Sequence, residues 1–486
     1  MCNMENEFLK NRLNITRRHF FGQAAAGIGG LALGSLLVPD LFKGGESSQA
    51  MPLGLAHFAP KAKRIIYLCQ NGAPSQYESF DHKPLLNKMA GTDLPESIRG
   101  GQRLTGMTAS QDKFPLVGSF YGFKQYGKSG AFVSDLFPHI GSIADDLCII
   151  RTMNTDAINH DPALTFLQTG AQVGNRPSMG AWMSYGLGSE NKNLPAFCVL
   201  LSRGRGNGQG VYSKLWTNGF LDSTHQGVVF SSSEDPILYL NDVEGIDKAG
   251  RRRMLDQLAE LNHEGFQENK DPEVEAKVQQ YEMAYRMQTA VPELTDLSKE
   301  PDYIVKMYGP ECLVPGTYAA NVLLARKLSE SGVRFVQIYH QGWDSHGNLP
   351  KEMAMQAQDV DRSSAALITD LKQRGLLDET LVIWGGEFGR TNYCQGQYTL
   401  DNYGRDHHPR AYSIFMAGGG VKAGTVYGET DEFGYNVIKD PVHIHDFHAT
   451  VQHLMGINHE QLTYKHLGRR YRLTDVSGNV LPGLIA

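Results

Sequence analysis

The chain has no surplus of positive charge: 46 Lys and Arg against 52 Asp and Glu leave a formal charge of −6 over 486 residues. That removes the electrostatic case for nucleic acid and for a basic, membrane-facing stripe, and leaves small molecules as the default partner. It also lacks cysteine pairs. Cys2, Cys69, Cys148, Cys198, Cys312 and Cys394 are scattered without a CxxC, and three of them fall in apolar, strand-like runs, so they read as buried free thiols rather than as a disulfide framework. The Gly-rich RGRGNGQG beginning at Arg203 lacks the GxxxxGK[ST] order of a phosphate loop and reads as a mobile flap. Internal repeats are absent, so length alone allows one large α/β domain or two or three ordinary ones.

No long apolar run opens the chain either, yet its amino terminus is patterned. Arg17-Arg18 and two phenylalanines precede AAAGIGGLALGSLLV, a segment too short to span a bilayer comfortably and too glycine-rich to make a good helix. This resembles a twin-arginine export signal over residues 1–50, which places the protein in the periplasm or cell envelope. Removal near Ala50 and retention as an uncleaved membrane anchor are both open, since no strong A-x-A site is present.

Two stretches then share one grammar. In TLVIWGGEFGRTNYCQGQYTLDNYGRDHHP, starting at Thr380, an apolar strand ends in two glycines and is followed by Glu387, Arg390, Asp406, His407 and His408. In VRFVQIYHQGWDSHGN, starting at Val333, a β-rich run delivers His340, Asp344 and His346. Imidazoles and carboxylates carried on separate strand ends are what a divalent cation such as Zn²⁺ or Mn²⁺ requires. Asp344 and Glu387 are the expected oxygen ligands, His346 and one of His407 or His408 the nitrogen ligands, with His340 in reserve. Adjacent strand residues point to opposite faces, so the His407-His408 pair should divide its roles.

Elsewhere, apolar runs at Arg64–Cys69, Asp146–Met153, Pro195–Ser202 and Tyr412–Gly420 alternate with helical periods, which argues for a parallel sheet. Residues 85–130 read as irregular surface, and 242–298 as a charged helical hairpin inserted in the domain. NTDAINHDPALTFLQTG follows the second strand directly; Asp161 is the expected cap, Pro162 the first turn and Gly170 the end of a short helix. His443, His445 and His448 open a further helix and read either as its polar face or as additional ligands.

The order of these parts resembles the alkaline phosphatase and sulfatase superfamily. More closely, the strings FAPKAKRIIYLCQNGAPSQYESFDHKP, LSRGRGNGQGVYSKLW and RGLLDETLVIWGGEFGRT resemble the exported, sulfatase-like bacterial family numbered fifteen-oh-one among domains of unknown function. The resemblance implies an alkaline-phosphatase-like α/β fold over residues 51–486, mostly parallel, with helices on both faces. It implies a divalent ion (Zn, Mn or Ca) held by Asp344, His346, Glu387, His407 and His408, and catalysis involving His160 and Arg390. The substrate it implies is a small-molecule or polysaccharide sulfate or phosphate ester. Aligned on Pro162 and Thr169-Gly170, the family's Ser, Thr or Cys nucleophile falls on His160, and its later Asp-His pair appears as Glu387-Phe388. Those departures keep a second function open: a catalytically silent envelope protein that retains the fold for binding.

Overall fold

The computed structural model describes residues 56–486 apart from 233–235, 238–239, 241–244, 270–271 and 400, so Arg17-Arg18 lie outside the described residues. A central sheet runs, from one edge, through Thr425–Tyr427, Leu147–Asn154, Tyr412–Ala417, Thr380–Gly385, Arg64–Asn71, Phe335–Gln341, Phe197–Arg203 and Val228–Phe230, with Val442–His443 also pairing to the Leu147 strand. Its central strands are buried on both faces, which is why their sequences are nearly continuous apolar runs. Alternate residues divide between the two cores: Ile66, Leu68, Val336, Ile338, Val382 and Trp384 pack under helices Tyr318–Glu330 and Leu349–Gln373. Ile65, Tyr67, Cys69, Phe335, Leu381 and Ile383 pack under helices His160–Thr169, Met179–Leu187 and Ile444–Leu454.

All pairings are parallel except those of Tyr412–Ala417, which runs antiparallel to both neighbours. The sequence led us to expect a parallel strand there. The difference arises because the segment leading to it is a β-hairpin, Gly389–Gln395 with Gly404–His408, rather than a crossover helix. The 85–130 region is not wholly irregular: Phe123–Tyr126 pairs antiparallel with Ala131–Ser134. Helices Lys248–Asn269 and Pro272–Thr295 form the charged hairpin, tied by Arg252 to Glu282. Cys69, Cys148, Cys198, Cys312 and Cys394 are buried free thiols. No helix among the described residues is long and apolar enough to cross a membrane.

Several histidines serve the scaffold. His340 meets Ser202 Oγ at 3.0 Å and Gln356 Oε1 at 3.1 Å, His408 donates to Tyr435 O at 2.7 Å, and His448 donates to Leu167 O at 2.8 Å. His445 donates to Gly170 O at 2.9 Å, so the Ile444–Leu454 helix is pinned to the end of helix His160–Thr169. Burial pushes the pKa of His340 and His408 down to about 4 and that of His448 to about 3. Each folded value is below the unfolded one of roughly 6.5, so the unfolded chain binds more protons between the two. Their contribution is therefore complete above pH ~6.5 and is lost as pH falls toward ~4, at about 1.4 kcal/mol per pH unit per histidine. Urea midpoints measured from pH 7.5 to pH 5.0 should fall steeply; a flat profile would contradict neutral burial.

Candidate metal centre

Three central strands end together. Arg64–Asn71 stops at Gly72, Thr380–Gly385 leads to Glu387, and Phe335–Gln341 leads to Asp344, all at the carboxyl edge where open α/β sheets bind ligands. Gly72 has φ +109°, and a Cβ there would lie 2.7 Å from Asp344 N, so only glycine lets the two turns approach this closely. Its N–H donates to Glu387 Oε1 at 3.1 Å.

His160, Asp344, His346 and His407 converge here, with ligand atoms all within 4.8 Å of one another. From Asp344 Oδ1 the distances are 2.9 Å to His160 Nε2, 2.8 Å to His346 Nε2 and 3.6 Å to His407 Nε2. Ligands held ~2.0–2.2 Å from a tetrahedral ion lie about 3.4 Å apart, so the spacing suits one small divalent cation.

The hydrogen bonds place the protons. His407 Nδ1 donates to Ile158 O at 2.8 Å, and burial, with Arg390 and the neighbouring imidazoles, pushes its pKa down to about 4, so Nε2 carries a lone pair. That lone pair faces His346 Nε2 at 3.1 Å, while His346 Nδ1 contacts Gln395 Oε1 at 2.6 Å. His160 lies between two carboxylates, with Nδ1 2.6 Å from Glu387 Oε1 and Nε2 2.9 Å from Asp344 Oδ1. Burial opposes charge on His160, but its bonds to Asp344 and Glu387 outweigh this and raise its pKa. Burial opposes charge on Asp344, but its bonds to His160 and His346 and the charge of Arg390 outweigh this and hold the carboxyl well below the usual range. Three imidazole nitrogens and a carboxylate oxygen aimed at one point need positive charge between them, supplied by protons, as on His160 here, or by a metal.

The site residues expected from sequence divide into three groups. His346, Asp344 and His407 meet. Glu387, expected as an oxygen ligand, stands behind His160 and orients it, the carboxylate–histidine relation common behind metal ligands. His408 points away, because alternation along Gly404–His408 sends its ring onto Tyr435 at 4.4 Å while His407 faces the centre. His340 is likewise turned to Ser202 and Gln356. His160 is the first residue of its helix, whose cap is Asn159 rather than Asp161. Asp161 instead pairs with Lys214 at 2.6 Å, and Asp156 with His443 at 3.3 Å, so neither holds His160.

Arg390 is buried. Its guanidinium bonds Asp344 Oδ1 at 2.8 Å, Ala73 O at 3.0 Å, Trp343 O at 3.3 Å, Arg405 O at 3.3 Å and Gly72 O. A fork occupied in this way fixes the two turns and the Asp344 carboxylate; it is not free to grip a substrate. Phe388 packs its ring 4.8 Å from His160 and 4.6 Å from His407 and closes the floor of the site. The opening is on the side of His346, whose side chain is 22% exposed against 7% for Asp344.

Residues 62–485 match the family described as "Protein of unknown function (DUF1501)". The chain belongs to that family. No curated protein matches this DUF1501 chain. Solved structures similar to it include the PsFucS1 sulfatase from Pseudoalteromonas sp., at 13% identity and TM-score 0.34, covering 82% of this chain and 68% of that one. Ps i-CgsB in complex with k-i-k-neocarrahexaose is 12% identical with TM-score 0.36, covering 82% and 74%. Alkaline phosphatase from the Antarctic bacterium TAB5 is 11% identical with TM-score 0.29, covering 74% and 92%.

Proposed function

We propose that this DUF1501 chain is an exported, metal-dependent hydrolase of sulfate or phosphate esters, small or polysaccharide. The observation that carries the reading is the convergence of His160, Asp344, His346 and His407 within 4.8 Å at the strand ends. Three imidazoles and one carboxylate suit Zn²⁺ or Mn²⁺ better than Ca²⁺, which prefers oxygen throughout. A bound ion of this kind supplies Lewis acidity and a water of lowered pKa. The protein's own part is to hold the ligands. Glu387 keeps the His160 proton on Nδ1 so that Nε2 faces the centre, and Arg390 keeps Asp344 ionised and in place. With both ring nitrogens committed, His160 does not attack; the attacking group in this reading is water. The first turn of helix His160–Thr169 borders the centre and favours an anionic ester.

The silent binding module stays as a second reading for one reason: the position that resembles the family's nucleophile slot carries an imidazole already engaged by two carboxylates. Metal-replete protein tested on a panel of sulfate and phosphate esters separates the two, turnover supporting the first and none across the panel the second.

Export rests on Arg17-Arg18 and the short apolar segment after them. Replacing both arginines by lysine should leave the protein in the cytoplasm; unchanged delivery to the envelope would remove the twin-arginine reading.

A further inference from the structure

The Gly-rich segment beginning at Arg203 lies across the carboxyl edge of the sheet, directly over the centre. Gly204 N–H donates to Gln341 O at 2.7 Å, Asn207 O accepts from Asp344 N–H at 3.3 Å, and Gln209 O accepts from Asn71 Nδ2 at 3.1 Å. A Cβ at Gly206 would lie 2.1 Å from the backbone oxygen of Gly342, so glycine there is what lets the strap lie this close. The Gln209 side chain then donates from Nε2 to Asp344 Oδ2. An ionised carboxylate only accepts, so the amide nitrogen must be the atom that faces it.

We propose that Gln209 is a positioning residue for the metal centre, restricting Asp344 to one ligand oxygen, and that the strap's hold on Asp344 and metal binding stabilise one another. Oδ1 faces His160 Nε2 and His346 Nε2 at the centre and accepts from Arg390, while Oδ2 is held by Gln209. With Oδ2 held by Gln209, Asp344 would offer an ion Oδ1 alone, which would leave a coordination position for water or an ester oxygen. Coupling is reciprocal: if the strap favours the ion, the ion must favour the strap's hold on Asp344. This inference rests on the metal-centre reading.

The test uses the full-length protein stripped by chelator, titrated with Zn²⁺ and with Mn²⁺, beside Gln209→Leu and Gln209→Ala. Both variants should bind about 10–100-fold more weakly, as for loss of a residue behind metal ligands, with the metal-free melting temperature unchanged. Hydrogen exchange in residues 203–212 should slow on adding metal to the wild type and should respond less in the variants. If the wild type binds no ion, the metal reading itself fails. If it binds and the variants match it, Gln209 has no positioning role; if wild-type exchange in the strap ignores the metal, the coupling is overturned.

Discussion

Asp344→Asn should weaken Zn²⁺ or Mn²⁺ binding by more than ~100-fold, beyond the loss typical of a residue behind the ligands. Asp344 is the only carboxylate in the four-residue cluster and supplies the negative charge that would face an ion held there. The same change should lower the stability of the metal-free protein. Arg390 and His160 are both nearly buried and both use Asp344 Oδ1 as their counter-charge, at 2.8 and 2.9 Å. His160 would keep Glu387, but leaving the buried Arg390 guanidinium bonded to carbonyls alone costs on the order of 3 kcal/mol. Isothermal titration and thermal melts read the two effects separately. Metal affinity equal to wild type would remove Asp344 from the ligand set, and unchanged metal-free stability would mean that Arg390 is satisfied by backbone carbonyls alone.

A loss as large is expected at a distance from the ligands. Glu78 and Arg405 form a fully buried ion pair, 2.7 Å from Arg405 Nη2 to Glu78 Oε1, with Tyr403 OH donating to the same oxygen at 3.0 Å. Arg405 also donates to Thr391 O at 2.9 Å and packs over the rings of Tyr77 and Tyr403. It thereby fastens the Gly389–Gln395 and Gly404–His408 hairpin, which carries Arg390 and His407 into the centre. Glu78→Ala leaves Arg405 buried without its carboxylate, and should cost about 3–5 kcal/mol. Replacing both partners by apolar residues of similar volume should restore much of this, since it is the lone charge that is costly. Denaturant unfolding of the single and double variants decides the matter: a single-variant loss under ~1 kcal/mol would show the pair to be dispensable.

The strands were legible because a strand buried on both faces must be apolar at nearly every position, as in Thr380–Gly385 and Arg64–Asn71. Asp344 and His346 were legible for the same reason: polar groups directly after such a strand stand at its mouth. Glu387 follows from the same signal, but exit from a strand does not say whether a carboxylate joins the cluster or, as here, meets the imidazole in front of it. Alternation divided His407 from His408 without saying which faced inward; Ile158 O and Tyr435 O, far away in sequence, settle that. Gln209 carried no signal at all, being one polar residue in a glycine-rich loop. Glu78 and Arg405 are 327 residues apart and each looks like an ordinary surface charge until the fold brings them together. Reversal of the Tyr412 strand was readable in principle, since no helical period separates it from Thr380–Gly385.

The most direct measurement is metal content after equilibrium dialysis. Full-length protein, stripped by chelator and dialysed against Zn²⁺ or Mn²⁺, should hold one ion per chain by elemental analysis, and His346→Ala and His407→Ala should hold far less under the same conditions. Wild-type protein that retains no stoichiometric ion, or variants that retain as much as wild type, would contradict the assignment of His160, Asp344, His346 and His407 as a metal centre.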